Sequence, residues 1–358
     1  RGRAGTVLPE EMIPTFIAHQ ADSSAYAYMS GSFSVRRGLL LPVQDLREAA
    51  HGGKLETLVV ALNRGSYAPI ANDASAGDVL ARVEGVWRET LAQASRDLPE
   101  PFLPYVLSVL DEREYAKAGL AERLLDGQTR SSSGTLGGEY AAYCQRIQAS
   151  AGHAKEVLGE SVFGSSLREA LDAAAAGASA SDAQTVFDFS FASTLAAVAK
   201  QYGHPAVIAY MAGLLKLMLA GQALKVKLRS GAHAGASIQR LVPFLKPEVQ
   251  VSLTAVLKRI QPVSWDMLQP ADLIPEASAF ALPVARHFTA DERLVMLEDA
   301  LDAWLVGSIE SAGYEPYGVT VVFGYLIDFR REVWGLRRLL KEATAAVLRS
   351  DDDARGVS

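Results

Sequence analysis

Three times along this chain, a long run of good helix formers stops at a proline- or glycine-bearing break, and a second long run with a tyrosine near its start follows. The first copy runs from Gly77 to Leu98, breaks over Pro99–Pro104 and resumes from Tyr105 through Leu125. The second runs from Ala183 to Tyr202, breaks at Gly203–Pro205 and resumes from Tyr210 through Leu228. The third runs from Glu292 to Ala312, breaks over Gly313–Gly318 and resumes from Tyr325 through Leu348. Proline lacks an amide donor and clashes with the preceding turn, so each break stops one helix and allows a reversal. The spacing therefore predicts antiparallel helix pairs. The repeat is longer than the ~20–50 residues of a solenoid, which points to three similar helical domains.

The rest of the pattern agrees with helix. The chain holds 57 alanines, and Ala, Leu, Arg, Glu and Gln lose little side-chain freedom in a helix. Strand-like alternation is scarce. Its main instance is Tyr26–Leu41, with Phe33 and Val35 in a Ser/Gly setting, and those residues also fit a helix face. In the third copy Tyr325, Phe329, Val333, Leu336 and Leu340 recur at three- and four-residue steps and form one apolar face, while Arg330, Arg331, Arg337, Arg338 and Lys341 cover much of the remainder. The expected fold is all-α, in domains over residues 1–138, 139–240 and 241–358. Thr129–Gly138 (TRSSSGTLGG) reads as a linker. Ala173–Ala183 reads as a helix end passing through Gly177, with Ser181 or Asp182 capping the next helix.

Composition excludes several classes. At 358 residues, with 49% hydrophobic and 21% charged side chains, the chain is too apolar to be disordered as its main state. A net charge of −6 gives no general affinity for nucleic acid. Cys144 is the single cysteine, so no internal disulfide forms; a reducing compartment fits. The most membrane-like segment, Pro205–Leu228, is interrupted by Lys216, Lys225 and Lys227 and reads as a helix packed in protein. The first residue is Arg1, read as a processed or trimmed start, and no signal-peptide core follows it.

Local chemical motifs are few. His19, His51, His153, His204, His233 and His287 are far apart, and no phosphate loop, dinucleotide fingerprint, HExxH or GxSxG occurs. Glu298 and Asp302 share a helix face, as carboxylates of a Mg²⁺–diphosphate site would, but no second acidic helix matches them, so a solvated face is expected. Asp351–Asp353 reads as a hydrated tail, and Cys144, beside Tyr140 and Tyr143, as an inert buried thiol. Arg123, Arg229, Arg337 and Arg338 fall near expected helix ends, where positive charge favours the helix dipole; contact with another protein of an assembly is the alternative.

Three segments carry a resemblance to a known family. Val321–Ala343 (VVFGYLIDFRREVWGLRRLLKEA) resembles the closing helix of the C-type central-stalk subunit of prokaryotic V/A-type rotary ATPases, known as the d-type subunit in the eukaryotic vacuolar enzyme. Tyr325, Glu332, Leu336 and Arg337 match that helix's motif. Tyr26–Leu41 (YAYMSGSFSVRRGLLL) is similar to the family's opening helix, with Arg36 and Arg37 at its arginine-rich step. Phe187–Leu217 is similar to its second domain in paired aromatics, proline-bearing break and tyrosine. Asp111 matches in the first domain. Glu114 stands where the family usually has Asn, and Lys216, Leu219 and Ala220 stand where its second domain usually has Asp and Asn-Leu.

The resemblance implies a pseudo-threefold funnel of three helical domains with no catalytic residues, cofactor or metal. It implies a central-stalk subunit on the cytoplasmic face of the membrane, held there by the rotor ring. Its partners would be the proteolipid subunits of that ring and the central shaft, with no nucleic acid and no direct lipid binding. Arg36, Arg37, Arg330, Arg331 and Arg338 would be the partner-binding residues. Glu332, beside the apolar face of its helix, is expected to be buried and paired with an arginine. Two other readings fit the residues: a Mg²⁺-dependent all-α enzyme acting on a diphosphate or lipid through Glu298 and Asp302, and a soluble helical scaffold.

Overall fold

The computed structural model describes residues 26–41, 55–99, 102–124, 164–228, 241–284, 289–311 and 317–355. These form helices and turns with no strand among them, so the protein is all-α. In chain order the helices are α1 (Ala27–Arg37), α2 (Leu55–Leu62), α3 (Ala76–Asp97), α4 (Phe102–Leu124), α5 (Gly164–Ala175), α6 (Ala180–Tyr202), α7 (Pro205–Leu228), α8 (Pro247–Ile260), α9 (Pro270–Leu273), α10 (Ala290–Ser311) and α11 (Val319–Arg355). Short 3-10 turns lie at Val242–Phe244, Trp265–Met267 and Pro275–Phe280. The helices expected in the first two copies, and the first helix of the third, lie within five residues of these bounds. Helix α11 starts six residues before the expected Tyr325 and ends seven after the expected Leu348, and most of the expected Gly313–Gly318 break lies outside the described residues.

The described helices fall into two compact units. The first holds α1 to α3, α4 as far as Tyr115, and α11; the second holds the rest of α4 and α5 to α10. The two helices of the third expected pair, α10 and α11, therefore belong to different units. The expected domain boundaries at 138 and 240, the Thr129–Gly138 linker, Cys144 and Arg229 lie outside the described residues.

In the first unit, α11 packs against α1 and α3. Tyr325, Phe329, Val333, Leu336 and Leu340 are all buried, as their spacing requires. The Tyr26–Leu41 ambiguity resolves to helix: Met29 and Phe33 are buried while Tyr28 and Val35 face water, a helical alternation. Phe33 stacks on Tyr325 with centroids 4.5 Å apart, and Tyr325 stacks on Phe329 at 5.8 Å. Phe329 also meets Tyr67 at 5.9 Å and the edge of Trp87 at 5.5 Å. Each buried aromatic removes a large apolar area from water, and the ring pairs add ~0.5–1.5 kcal/mol apiece.

Tyr67 sits on the connection between α2 and α3, which is pinned at several points. Asn63 accepts from the Ile70 amide at 2.7 Å and donates to its carbonyl at 2.9 Å. Arg82 of α3 donates to the carbonyls of Tyr67 and Ala68 at 2.9 and 2.8 Å. A capping box then opens α3, with Ser75 Oγ accepting from the Asp78 amide and the Asp78 carboxylate accepting from the Ser75 amide.

In the second unit, α7 packs against α6, α8 and α10. The cap of α6 is Ser179 rather than Ser181 or Asp182: its Oγ accepts from the Asp182 amide and donates to the Asp182 carboxylate at 2.6 Å. The serine just before the helix supplies the cap, so the first turn lies slightly earlier than its alanine-rich sequence suggests. At the other end Gly203 takes φ +83°, a left-handed conformation that L side chains rarely adopt. Helix α7 is long and apolar enough to span a membrane by length and composition. It nonetheless buries Val207, Tyr210, Met211, Leu219, Ala223 and Leu224 within the protein, as expected. Close to its middle, Gly213 approaches α10 so tightly that an added Cβ would lie 2.6 Å from Leu305 Cδ1 and 3.4 Å from the Trp304 ring.

Candidate functional site

Two of the three segments that carry the resemblance, Tyr26–Leu41 and Val321–Ala343, meet in the first unit around α11, while Phe187–Leu217 lies in the second. All four matched motif residues are buried: Tyr325, Glu332, Leu336 and Arg337. Tyr325 and Leu336 belong to the apolar face; Glu332 and Arg337 bring charge into the interior, at 3% and 8% exposure. Groups buried this deeply require compensation.

Arg337 receives it from α3. Its Nη2 donates to Glu84 Oε1 at 2.5 Å, with side-chain exposures of 9% and 12%, and its guanidinium lies 4.2 Å from the Trp334 ring centroid. The expectation that Arg337 and Arg338 sit near a helix end is corrected, because α11 continues to Arg355. Arg337 is there to meet Glu84, not the helix dipole. The same continuation places the backbone of Asp351–Asp353 inside the helix rather than in a frayed tail.

Among the described residues Glu332 is not paired with an arginine, contrary to the expectation made for it. Its one hydrogen bond among the described residues comes from the Leu41 amide to Oε2, at 2.8 Å, just past the end of α1. On α11, Arg330 and Arg337 are drawn to carboxylates on other helices and Arg331 to Asp328 on its own, and Glu332 takes a backbone donor. Burial pushes its carboxyl up to about 7, opposed by the Tyr67 hydroxyl and the Leu41 amide. The hydroxyl of Tyr67 lies beside this carboxyl, and burial, reinforced by the Glu332 charge, pushes the phenol far above its ordinary value. Tyr325 is pushed up to about 12, again chiefly by burial, against the pull of Arg36.

Asp111 of α4 forms the second polar centre of the unit. Its Oδ2 accepts from Trp87 Nε1 at 2.6 Å, while Oδ1 accepts from Trp334 Nε1 at 2.9 Å and Arg330 Nε at 2.8 Å. Arg330 also donates to the Leu110 carbonyl at 2.8 Å and lies over the Trp334 ring at 5.5 Å. One carboxylate thus ties α3, α4 and α11 together.

The five arginines expected to bind partners differ in environment. Arg330 holds Asp111 and is mostly buried, with side-chain exposure of 13%. Arg37 reaches Asp328 of α11 at 2.7 Å and remains 39% exposed. Arg331 meets the same aspartate at 3.7 Å from one turn away. Arg36 is half-buried with its guanidinium 6.0 Å from the Phe33 centroid, and Arg338 is exposed. Arg36, Arg37, Arg331 and Arg338 thus reach the surface of the unit.

In the second unit Glu298 is exposed and Asp302 half-buried on α10. Among the described residues no group of three His, Cys, Asp or Glu side chains is close enough to hold a metal ion. Lys216 forms an exposed ion pair with Glu276. Sequence reasoning missed Arg293, which is 1% exposed and donates to the carbonyls of Leu268 and Pro283 at 2.7 and 2.8 Å. Its signal was present: a cation in the first turn of α10 opposes the helix dipole and so needs another partner.

No family model matches the chain, and no curated protein matches it.

Proposed function

We propose that the chain is a non-catalytic central-stalk subunit of a V/A-type rotary ATPase. In this reading, three similar helical domains over residues 1–138, 139–240 and 241–358 close a pseudo-threefold funnel. The funnel is a socket between the membrane rotor ring and the central shaft. The proteolipid ring and the shaft subunits are its partners, on the cytoplasmic face of the membrane. It binds no cofactor, metal or nucleic acid and reaches the membrane through the ring rather than through lipid. Ion flow turns the ring, and the socket passes the torque onward to the ATP-binding head.

The observation that carries this reading is the packing of α1 on α11. These segments lie almost 300 residues apart in sequence and bear the two terminal matches to the family. They join through the Phe33–Tyr325 stack, the Arg37–Asp328 ion pair and the Leu41–Glu332 bond. Matched residues that lock two helices together suit a part that must be stiff, since close-packed interiors transmit strain. Arg36, Arg37, Arg331 and Arg338, which reach the surface, lie on the same two helices and are assigned to partner contact.

The test is affinity purification of the tagged chain from detergent-solubilised membranes of its native host. Proteolipid and shaft subunits of a rotary ATPase are expected to come with it in fixed ratio. Recovery without ATPase subunits from both membrane and soluble fractions refutes the reading. The architecture is tested separately by an experimental structure: the helices bearing Tyr105, Tyr210 and Tyr325 should superpose by rotations of about 120° around one axis.

A further inference from the structure

We propose that Glu332, together with the hydroxyls of Tyr67 and Tyr325, is a buried proton-binding site within the packing of α11, neutral in the folded protein, whose ionisation destabilises the first unit. The inference concerns the first unit alone and stands apart from the ATPase reading.

Three oxygen atoms carry it. Glu332 Oε1, Tyr67 Oη and Tyr325 Oη are all buried, and none has a hydrogen-bond partner among the described residues. The two phenols belong to residues at 0% and 1% exposure, and both interact electrically with the carboxyl. Glu332 has one donor, the Leu41 amide on Oε2. A neutral carboxylic acid fits these surroundings. Its Oε2 accepts from Leu41 as a carbonyl oxygen, and no full charge is left in the interior. The anion would have only the Leu41 amide and the Tyr67 hydroxyl to set against a full charge, and burying an unneutralised charge is costly.

The charged groups on the surrounding elements do not neutralise it. On α1, Arg37 is paired with Asp328, and Arg36 lies beside the Tyr325 hydroxyl. On α2, Glu56 is exposed. On α3, Arg82 is bound to two carbonyls, and Glu84 holds Arg337 of α11. On α4, Asp111 holds Arg330, while Arg331 of α11 turns to Asp328. Among the described residues no ion pair reaches Glu332, and burial is the first cause of its raised proton affinity. Its proton exchanges with solvent, so no further reactant is needed.

The direction of the pH effect follows. The folded carboxyl titrates at about 7 against an ordinary value of 4.5, so between those values the folded chain binds a proton that the unfolded chain has released. Glu332's contribution to stability is complete below the lower value and is lost as pH rises through the higher one.

Two measurements on the purified full chain test this. In ¹³C NMR with carboxyl-labelled glutamate, the resonance that disappears in Glu332→Gln should titrate near neutrality. Tyr67→Phe should move that midpoint upward, because the hydroxyl favours the anion. In urea unfolding, the folding constant of the wild type relative to Glu332→Gln should fall by at most about tenfold per pH unit across that window and level off above it. A midpoint below about 5, or identical pH dependence in the two proteins, overturns the proposal. If Glu332→Gln does not fold, Tyr67→Phe decides, and an unmoved stability profile overturns it.

Discussion

Replacing Asp111 with alanine gives the sharpest test of how the first unit is held together. The carboxylate accepts three hydrogen bonds, from Trp87, Trp334 and Arg330, at 2.6 to 2.9 Å. Trp87 is 4% exposed, so its indole N–H would be left buried without an acceptor, which costs ~1–3 kcal/mol. Breaking a buried ion pair by removing one partner costs ~3–5 kcal/mol. That range is an upper bound here, because the Arg330 and Asp111 side chains keep 13% and 15% exposure and Arg330 retains the Leu110 carbonyl. The three losses share one acceptor and do not add. We therefore expect Asp111→Ala to lower unfolding stability by ~3–4 kcal/mol, a large part of the ~5–15 kcal/mol typical of a domain. Asp111→Asn keeps one carbonyl oxygen and should cost about half as much. Urea titration followed by tryptophan fluorescence suits the question, because Trp87 and Trp334 touch the altered group. A loss below ~1 kcal/mol for Asp111→Ala would show that the indoles and Arg330 find other partners, refuting the role given to this carboxylate.

Three further outcomes are expected. A double-mutant cycle of Glu84→Gln and Arg337→Gln should return a coupling of ~1–3 kcal/mol by urea unfolding, because the pair is close and almost wholly buried; a value near zero would mean the two are solvated separately. Gly213→Val should lower the thermal midpoint by an amount corresponding to ~1–3 kcal/mol, since even its Cβ must displace Leu305 and press on Trp304. Gly203→Ala should cost ~1 kcal/mol in the same measurement, because alanine is strained at φ +83° where α6 ends.

What was legible in the sequence was whatever depends on period and punctuation. Tyr325, Phe329, Val333, Leu336 and Leu340 gave their helix face correctly because burial of an apolar stripe is a local property of spacing. The break at Gly203–Pro205 was legible because glycine and proline constrain the backbone wherever they stand. The destination of α11 was not. Neighbouring helices with a short break suggest a hairpin, yet α11 buries its face against α1 and α3, from the far end of the chain. Long-range packing of Phe33 and Trp87 on the α11 aromatics prevails over chain proximity, and no periodicity encodes that choice.

Charge was least legible, for a physical reason. Arg330, Arg331, Arg337 and Arg338 look alike in sequence, and a long arginine stem can lie on apolar surface whether its head is in water or in the interior. Their fates separate only when carboxylates arrive from elsewhere: Asp111 on α4 for Arg330, Glu84 on α3 for Arg337. Those pairs engage Arg330 and Arg337, and Glu332 accepts from the Leu41 amide instead. Donor accounting could have narrowed the search. Trp87 and Trp334 each bring an indole N–H to a helix that packs in the interior, and a buried indole needs an acceptor. Asp111, flanked by Leu110, was the carboxylate available on a neighbouring helix, and it takes both indoles. The polar interior of this unit is therefore one linked system. The arginine on Asp111 is an arginine withheld from Glu332, and this distribution leaves one carboxyl buried where a proton, rather than a cation, can neutralise it.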